Sequence, residues 1–180
     1  MRPAFGASCA APGVVLVMSE KQPDRAIRLA GPDDAPAIAA LLLQSFAEYE
    51  PLYTPEGFKA TTPPSQEVLN RLNEGPVWVA ICDGAIVGTV SVVTKGESLY
   101  VRGMAVLPSA RGQGTGQLLL EHIERYAAEQ NCRRLFLSTT PFLNPAIQLY
   151  GHFGFRRSPE GPHDLFGTPL FTMAKKISSI

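Results

Sequence analysis

The sequence predicts an α/β (α+β) fold, a mixed and mostly antiparallel central sheet flanked by helices, in the order β-α-α-β-β-β-α-β-α-β. Three observations carry this. Two β-rich runs within "PVWVAICDGAIVGTVSVV" (76–93) meet at Asp83-Gly84. Asp-Gly between such runs marks a hairpin, because a type I′ turn needs positive φ at both central residues. A third run, "SLYVRGMAVLP" (98–108), follows through the "KGE" turn and extends the meander. The later strands are separated by helical patterns, and a strand–helix–strand crossover makes part of the sheet parallel.

The elements follow in order. "AIRLA" (26–30) alternates like a short strand, and "GPDD" behind it supplies a turn and helix-start residues. Ile38, Leu41, Leu42, Ser45 and Phe46 recur at helical spacing up to about Tyr49. The proline- and threonine-rich stretch 50–64 reads as a loop with at most a helical turn. A short helix over 65–74 opens on Ser65 as N-cap. In the helix around 114–130, Leu119, Ile123, Tyr126 and Ala127 form an apolar stripe. "RRLFLSTTP" (133–141) is a strand. "NPAIQLYGHFGF" (144–155) is a short helix with Asn144 as N-cap and Gly154 at the C′ position. "TPLFTMAKK" (168–176) closes the chain as a strand.

Bulk properties narrow the function. The chain has 180 residues, fitting one domain, and 45% hydrophobic residues, enough for a core. Its formal net charge is zero, which argues against a nucleic-acid partner. No apolar run reaches the roughly 18 residues of a transmembrane helix, so no membrane partner is expected. Cys9, Cys82 and Cys132 form no CxxC pair and read as reduced thiols of a cytoplasmic protein. His122, His152 and His163 lack HExxH spacing, and no metal site is expected. Residues 1–24 read as a disordered or added N-terminal extension, with Met18 as the natural start. Their apolar part, "GVVLVM", is too short for a convincing signal peptide. Residues 25–180 then form the single domain.

The most informative stretch is "LPSARGQGTGQLLLEHIERYA" (107–127). It places Gly112, Gly114 and Gly116 at the mouth of a helix, although glycine costs about 1 kcal/mol per helical position relative to alanine. A helix N-terminus leaves N–H groups unpaired and carries partial positive charge. Glycines there let an anion approach the backbone, which suits a phosphate or pyrophosphate. Neither GxGxxG nor GxxxxGK[ST] is present, so Rossmann and P-loop sites are unsupported. What fits is Arg111-x-x-Gly114-x-Gly116 behind a strand ending "MAVLPSA". This resembles the acyl-CoA signature Q/R-x-x-G-x-G/A of the GNAT superfamily of N-acetyltransferases. Asn144, Ala146, Leu149, Tyr150, Gly154 and Phe155 look like that family's second block. The element order also matches, over about residues 25–176.

The resemblance implies acetyl-CoA as cosubstrate. The amides of Arg111, Gly112, Gln113, Gly114, Thr115 and Gly116 would hold its pyrophosphate. In the family the preceding strand bulges and splays from its parallel neighbour, and its freed backbone pairs with the pantetheine arm. Met104, Ala105 and Val106 would do so here, with the Val106 N–H polarising the thioester carbonyl. Tyr150 matches the tyrosine beside the sulfur, a general acid for the departing thiolate. Asn144 matches a position that touches the pantetheine arm.

The chain departs from the family in having no carboxylate between Glu97 and Pro108. Acceptor deprotonation then falls to Glu48, a water or a carbonyl, or the amine arrives neutral. His152 reads as a surface or cofactor-edge residue. The acceptor side is expected from the loop regions around Phe46, Tyr49, Tyr53 and Phe58 and around His163, Asp164 and Phe166, an aromatic wall with few charges. That points to a primary amine of a small molecule, acetylated by direct attack in a ternary complex, and leaves a homodimer open. The rivals are a protein N-terminal or lysine acetyltransferase and a non-catalytic CoA-binding module.

Overall fold

The structure, a computed structural model, describes residues 24–177. The expected extension (1–24) and Cys9 lie outside the described residues, apart from Asp24. Its amide donates to the Asp83 carboxylate and its carbonyl accepts from the Asp83 amide. In chain order the elements are β1 (Arg25–Leu29), α1 (Ala35–Phe46), α2 (Pro55–Thr61), α3 (Ser65–Leu72), β2 (Val77–Cys82) and β3 (Ala85–Lys95). There follow β4 (Ser98–Val106), α4 (Thr115–Glu129), β5 (Arg134–Thr139), α5 (Asn144–His152), β6 (Arg156–Arg157), β7 (His163–Leu165) and β8 (Thr168–Lys176). The sheet runs β1-β2-β3-β4-β5-β8-β6, with β7 hairpinned onto β8. The β4–β5 pair is parallel and the other pairs are antiparallel.

Strand alternation sorts the core into two layers. From β2, Trp78 and Ala80 join Leu119, Ile123 and Phe155 under α4 and α5. Val77 and Val79 join Ile38, Leu42 and Val68 under α1 and α3 on the opposite face. The α4 stripe is deeper than predicted, since Leu120 is buried beside Leu119, Ile123 and Ala127. Gly88 lets α4 settle on β3, because a Cβ there would stand 3.1 Å from Thr115 Cγ2 and 3.2 Å from Leu119 Cδ1. The Asp83-Gly84 turn has φ of 49° and 82°, as a type I′ hairpin requires.

Some local expectations are corrected. The stretch 50–64 contains a real helix, α2, because Thr54 accepts the Gly57 amide (3.1 Å) as N-cap and Pro55 fits the first turn. Ser65 and Asn144 are first helical residues rather than caps. Pro64 and Leu143 take the N-cap positions, with no side-chain capping bond. The short strands β6 and β7 were not anticipated.

One irregularity positions the site. On β3–β4, Thr89 is opposite Ala105, but Ser91 is opposite Arg102. Val90 therefore faces two residues, Gly103 and Met104, which is a β-bulge. Gly103 has φ of +57°, a conformation that favours glycine. Before the bulge Leu99 and Val101 pack toward α4. After it Met104 and Val106 do so, and Ala105 turns to the α1 layer. The parallel β4–β5 pairing runs from Ser98↔Arg134 to Val101↔Leu137 and stops there. Beyond that point the two strands stand apart as a wedge.

Candidate active site

The wedge exposes particular backbone groups. The Leu107 amide donates to the Val87 carbonyl at 2.9 Å. Antiparallel ladders alternate bonded and non-bonded pairs. Val106, opposite Gly88, therefore turns its N–H and C=O away from β3, toward the wedge. Its carbonyl accepts from Ser45 Oγ (3.2 Å) and Arg111 Nε (3.4 Å), which fixes that peptide's orientation. Met104 shares the outward orientation. Ala105 does not, because its backbone pairs with Thr89 on β3.

The glycine loop continues from there. Gly112 and Gly114 have φ of +73° and +83°, and Gly114 is the N-cap of α4. A Cβ at Gly112 would meet nothing within 4 Å, and one at Gly114 only Arg25 Nη1 at 3.8 Å. Both glycines are thus needed for backbone conformation, and the space above them is open. The amides of Gly114, Thr115, Gly116 and Gln117 have no carbonyl one turn behind; Leu118 is the first that does, bonding Gly114 O at 3.0 Å. Gly116 serves packing, since a Cβ there would stand 2.8 Å from Leu149 Cδ2 on α5. Thr115 is buried against β3.

Two flanking side chains hold the loop rather than face its open side. Arg111 Nη2 donates to the Ser45 carbonyl (2.7 Å) and Nη1 pairs with Glu48, so Arg111 ties the loop to the end of α1. Glu48 is thereby engaged outside the cavity lining. Gln113 is exposed, bonding Ser109 O at 3.2 Å, and its own carbonyl accepts from Arg25 Nη1. Arg25, unnoticed in the sequence, brings a positive charge from β1 to the loop.

Tyr150 reaches the same space from α5. Its placement follows from the helix end. The Phe155 amide bonds Tyr150 O (2.9 Å) and the Gly154 amide bonds Gly151 O (3.2 Å), with Gly154 at φ +94°. This is a Schellman motif. It delivers the fully buried Phe155 ring to within 5.8 Å of the Tyr150 ring. Burial, and secondarily Tyr53, push the Tyr150 phenol up to about 12, so it is protonated throughout the neutral range. Asn144 is exposed and does not line the cavity, and His152 is exposed with Nδ1 at Gln148 O.

These groups share a cavity of about 580 Å³. At one end lie Gly112, Gly114, Thr115, Gly116 and Gln117; in the middle Met104, Ala105, Val106 and Tyr150. The far end contains Phe46, Tyr49 and Tyr53 as expected, with Leu165 and Leu170 from the β7–β8 hairpin. Phe58, His163, Asp164 and Phe166 are not in the lining. Phe58 packs against Tyr53, His163 meets Thr172 Oγ1, Asp164 accepts the Gly167 amide, and Phe166 is exposed. The expectation of few charges fails, because Arg71 and Arg102 line this end beside Tyr100. Arg102 lies on β4, inside the strand read from the sequence over 98–108, one residue before the bulge. Arg71 carries no local signal; only the packing of α3 against α1 over the sheet brings it here.

An opened parallel seam, with outward backbone groups leading to positive-φ glycines at a helix N-terminus, fits an extended thioester arm that ends in a pyrophosphate. Fold and site together define an N-acetyltransferase of the GNAT type. The profile of the Acetyltransferase (GNAT) family matches residues 42–155. The uncharacterized N-acetyltransferase YjgM of Escherichia coli (strain K12) is 34% identical over 128 residues, covering 68% of this chain and 76% of that one. Streptothricin acetyltransferase of Streptomyces lavendulae is 33% identical over 81 residues, 43% of each chain. Among solved structures, the PaiA N-acetyltransferase of Thermoplasma acidophilum in complex with coenzyme A superposes with a TM-score of 0.72 at 17% identity, over 85% of this chain and 99% of that one. The chain belongs to the GNAT acetyltransferase family and is an acyltransferase. No helix of the described residues is long and apolar enough to cross a membrane.

Proposed function

We propose that this enzyme moves the acetyl group of acetyl-CoA to a primary amine of a small molecule, by direct attack in a ternary complex. The observation that carries the reading is the Val106 amide, turned into the β4–β5 wedge and sharing one cavity with Tyr150. The pantetheine arm would pair with the outward groups of Met104 and Val106, and the pyrophosphate would rest on the Gly112–Gln117 amides. Coenzyme A in the PaiA complex and the acceptor in the name of streptothricin acetyltransferase support cosubstrate and acceptor class.

The amine nitrogen attacks the thioester carbonyl carbon, and the Val106 N–H stabilises charge developing on the oxygen. The C–S bond then breaks, and the Tyr150 hydroxyl donates to the leaving sulfur. The ammonium proton reaches the departing thiolate by way of water, while the Tyr150 phenol donates its hydrogen bond and keeps its own proton. A phenol near 12 is a weaker acid than a thiol of about 8.5, so hydrogen-bond donation to sulfur supplies the larger share. An acetyl-CoA turnover screen over amines, polyamines, aminoglycosides, amino acids and peptide N-termini tests the reading. Turnover of a small amine is expected; acetylation confined to peptide N-termini would overturn the small-molecule acceptor.

A further inference from the structure

The far end of the cavity holds two guanidinium groups that the acetyl-transfer chemistry leaves unused. Arg71, on α3, donates from Nη2 to the Ala60 carbonyl (3.1 Å), and its Nη1 lies 3.4 Å from where a Gly103 Cβ would be. Arg102, on β4, brings Nη2 within 2.6 Å of Glu74 Oε2, but without hydrogen-bond geometry. Its Nε is buried with no partner among the described residues. Both side chains line the cavity with Tyr100.

The local charge does not balance. Glu74 is half-exposed and faces Arg102. Glu67, the other carboxylate near Arg71, is exposed and accepts from Asn70 Nδ2. Burial first, and Arg102 second, pull the Arg71 guanidinium below its usual range, the signature of a cation short of a counter-charge. Buried guanidinium donors without partners are costly, and arginine forks match planar oxyanions bidentately. Two cations against one close carboxylate leave room for one negative charge, which favours a carboxylate over a doubly charged phosphate.

We infer that the acceptor is an amino-carboxylic acid, its carboxylate held by Arg71 and Arg102 while its amine faces the thioester at Val106. This rests on the acetyl-transfer reading above and names its substrate class. Arg102 lies four residues before Val106, on the order of 10 Å along the strand. One short molecule spans that distance. The aromatic side chains of Tyr49 and Tyr53 would cover its apolar part.

The test uses the full chain with acetyl-CoA and matched acceptors: free amino acids, their carboxamides, the corresponding aminophosphonates, and polyamines. At least one amino acid is expected to exceed its carboxamide about tenfold or more in kcat/KM. Arg71→Leu and Arg102→Leu are expected to remove that ratio by raising the amino-acid KM while leaving the acetyl-CoA KM in place. Arg71→Lys should retain part of it. Equal use of carboxamides or polyamines overturns the inference, as does a preference that survives in both leucine variants. Better turnover of the aminophosphonates overturns the carboxylate in favour of a phosphate-like group. If a leucine variant does not fold, the acid-to-amide ratio of the unsubstituted enzyme decides alone. Calorimetric titration with coenzyme A separates the two levels. Intact binding with no carboxylate preference defeats only the acceptor class, whereas absent binding defeats the acetyl-CoA reading itself.

Discussion

At the α4 end of the cavity the chain offers backbone; at the Tyr100 end it offers side chains. The first end consists of amides aimed by two positive-φ glycines, a helix N-terminus and a bulged strand. The second is assembled from the turn residues after α1, from α3, from β4 and from the β7–β8 hairpin. Backbone groups are the same in every residue, so the first end can hold an invariant cosubstrate. Side chains differ, so the second can be rewritten without disturbing the first. On the proposed reading, recognition of the common partner and choice of the variable one are separated along a single cleft.

The sharpest test of that separation is Tyr150, which stands between the ends. Tyr150→Phe keeps the ring packed on Phe155 but removes the donor. Losing a hydrogen bond to a developing thiolate costs about 1.5–3 kcal/mol, so kcat should fall roughly 10- to 100-fold with acetyl-CoA affinity little changed. Steady-state kinetics under chemistry-limited conditions decide it, and full activity would remove the hydroxyl from the mechanism.

Gly114→Asp strikes the backbone end alone. It forces a side chain into a φ of +83° and sets a negative charge over the loop. Coenzyme A should bind about tenfold more weakly, or about 1.4 kcal/mol, by calorimetry. The acceptor KM should stay where it was. Unchanged coenzyme A affinity in a folded variant would dissociate the loop from the site.

Gly103→Ala probes where the ends join. Its backbone would be held in the left-handed region, at a cost of about 1–2 kcal/mol, with its Cβ in contact with Arg71 Nη1 at 3.4 Å. A melting temperature lower by about 2–8 °C is expected, with the KM of both substrates rising together. A rise in only one would show that the bulge serves that end alone.

The smallest effect belongs outside the cleft. Arg28 holds Asp34 through two bonds of 2.7 and 2.8 Å, and the Gly31 amide adds a third at 2.8 Å. These keep the Asp34 carboxyl at about 2, below its ordinary 3.8. The stabilisation is complete above 3.8 and is lost as pH falls through about 2. Because Arg28 is half-exposed, Asp34→Asn should cost no more than about 1 kcal/mol at neutral pH. Denaturant titrations should show the difference vanishing below pH 2, with kinetics unaltered. An altered kcat would show that the cleft is not insulated from the turn that joins β1 to α1.

The two ends also differed in how far they could be read beforehand. The hairpin at Asp83-Gly84, the glycine loop and the α5 cap at Gly154 depend on φ at single residues, and glycine advertises such positions locally. The bulge was less accessible. Gly103 was its one local sign, but "SLYVRGMAV" otherwise reads as an unbroken strand, and the splay entered only through family resemblance. The helix α2 was masked by the prolines and threonines that also start it. Arg71 was beyond reach, because on an amphipathic helix an arginine at the cavity and one in water look alike. Phe58 and Phe166 showed the converse error: aromatic character alone does not tell a wall from an anchor or an exposed tip.

The inserted residue at Gly103 behaves as a phase shift in a two-beat rhythm. Side-chain direction and amide direction both alternate along a strand, so one extra residue exchanges every assignment downstream of it. A β4 that took Gly103 into a regular ladder instead of a bulge would aim the Val106 amide into β3 and turn its isopropyl group toward the α1 layer, with no change in any other residue's identity. The aim of the Val106 amide is therefore set by the bulge. A substitution that suppresses the bulge, with every other residue intact, is enough to turn that amide away from the wedge.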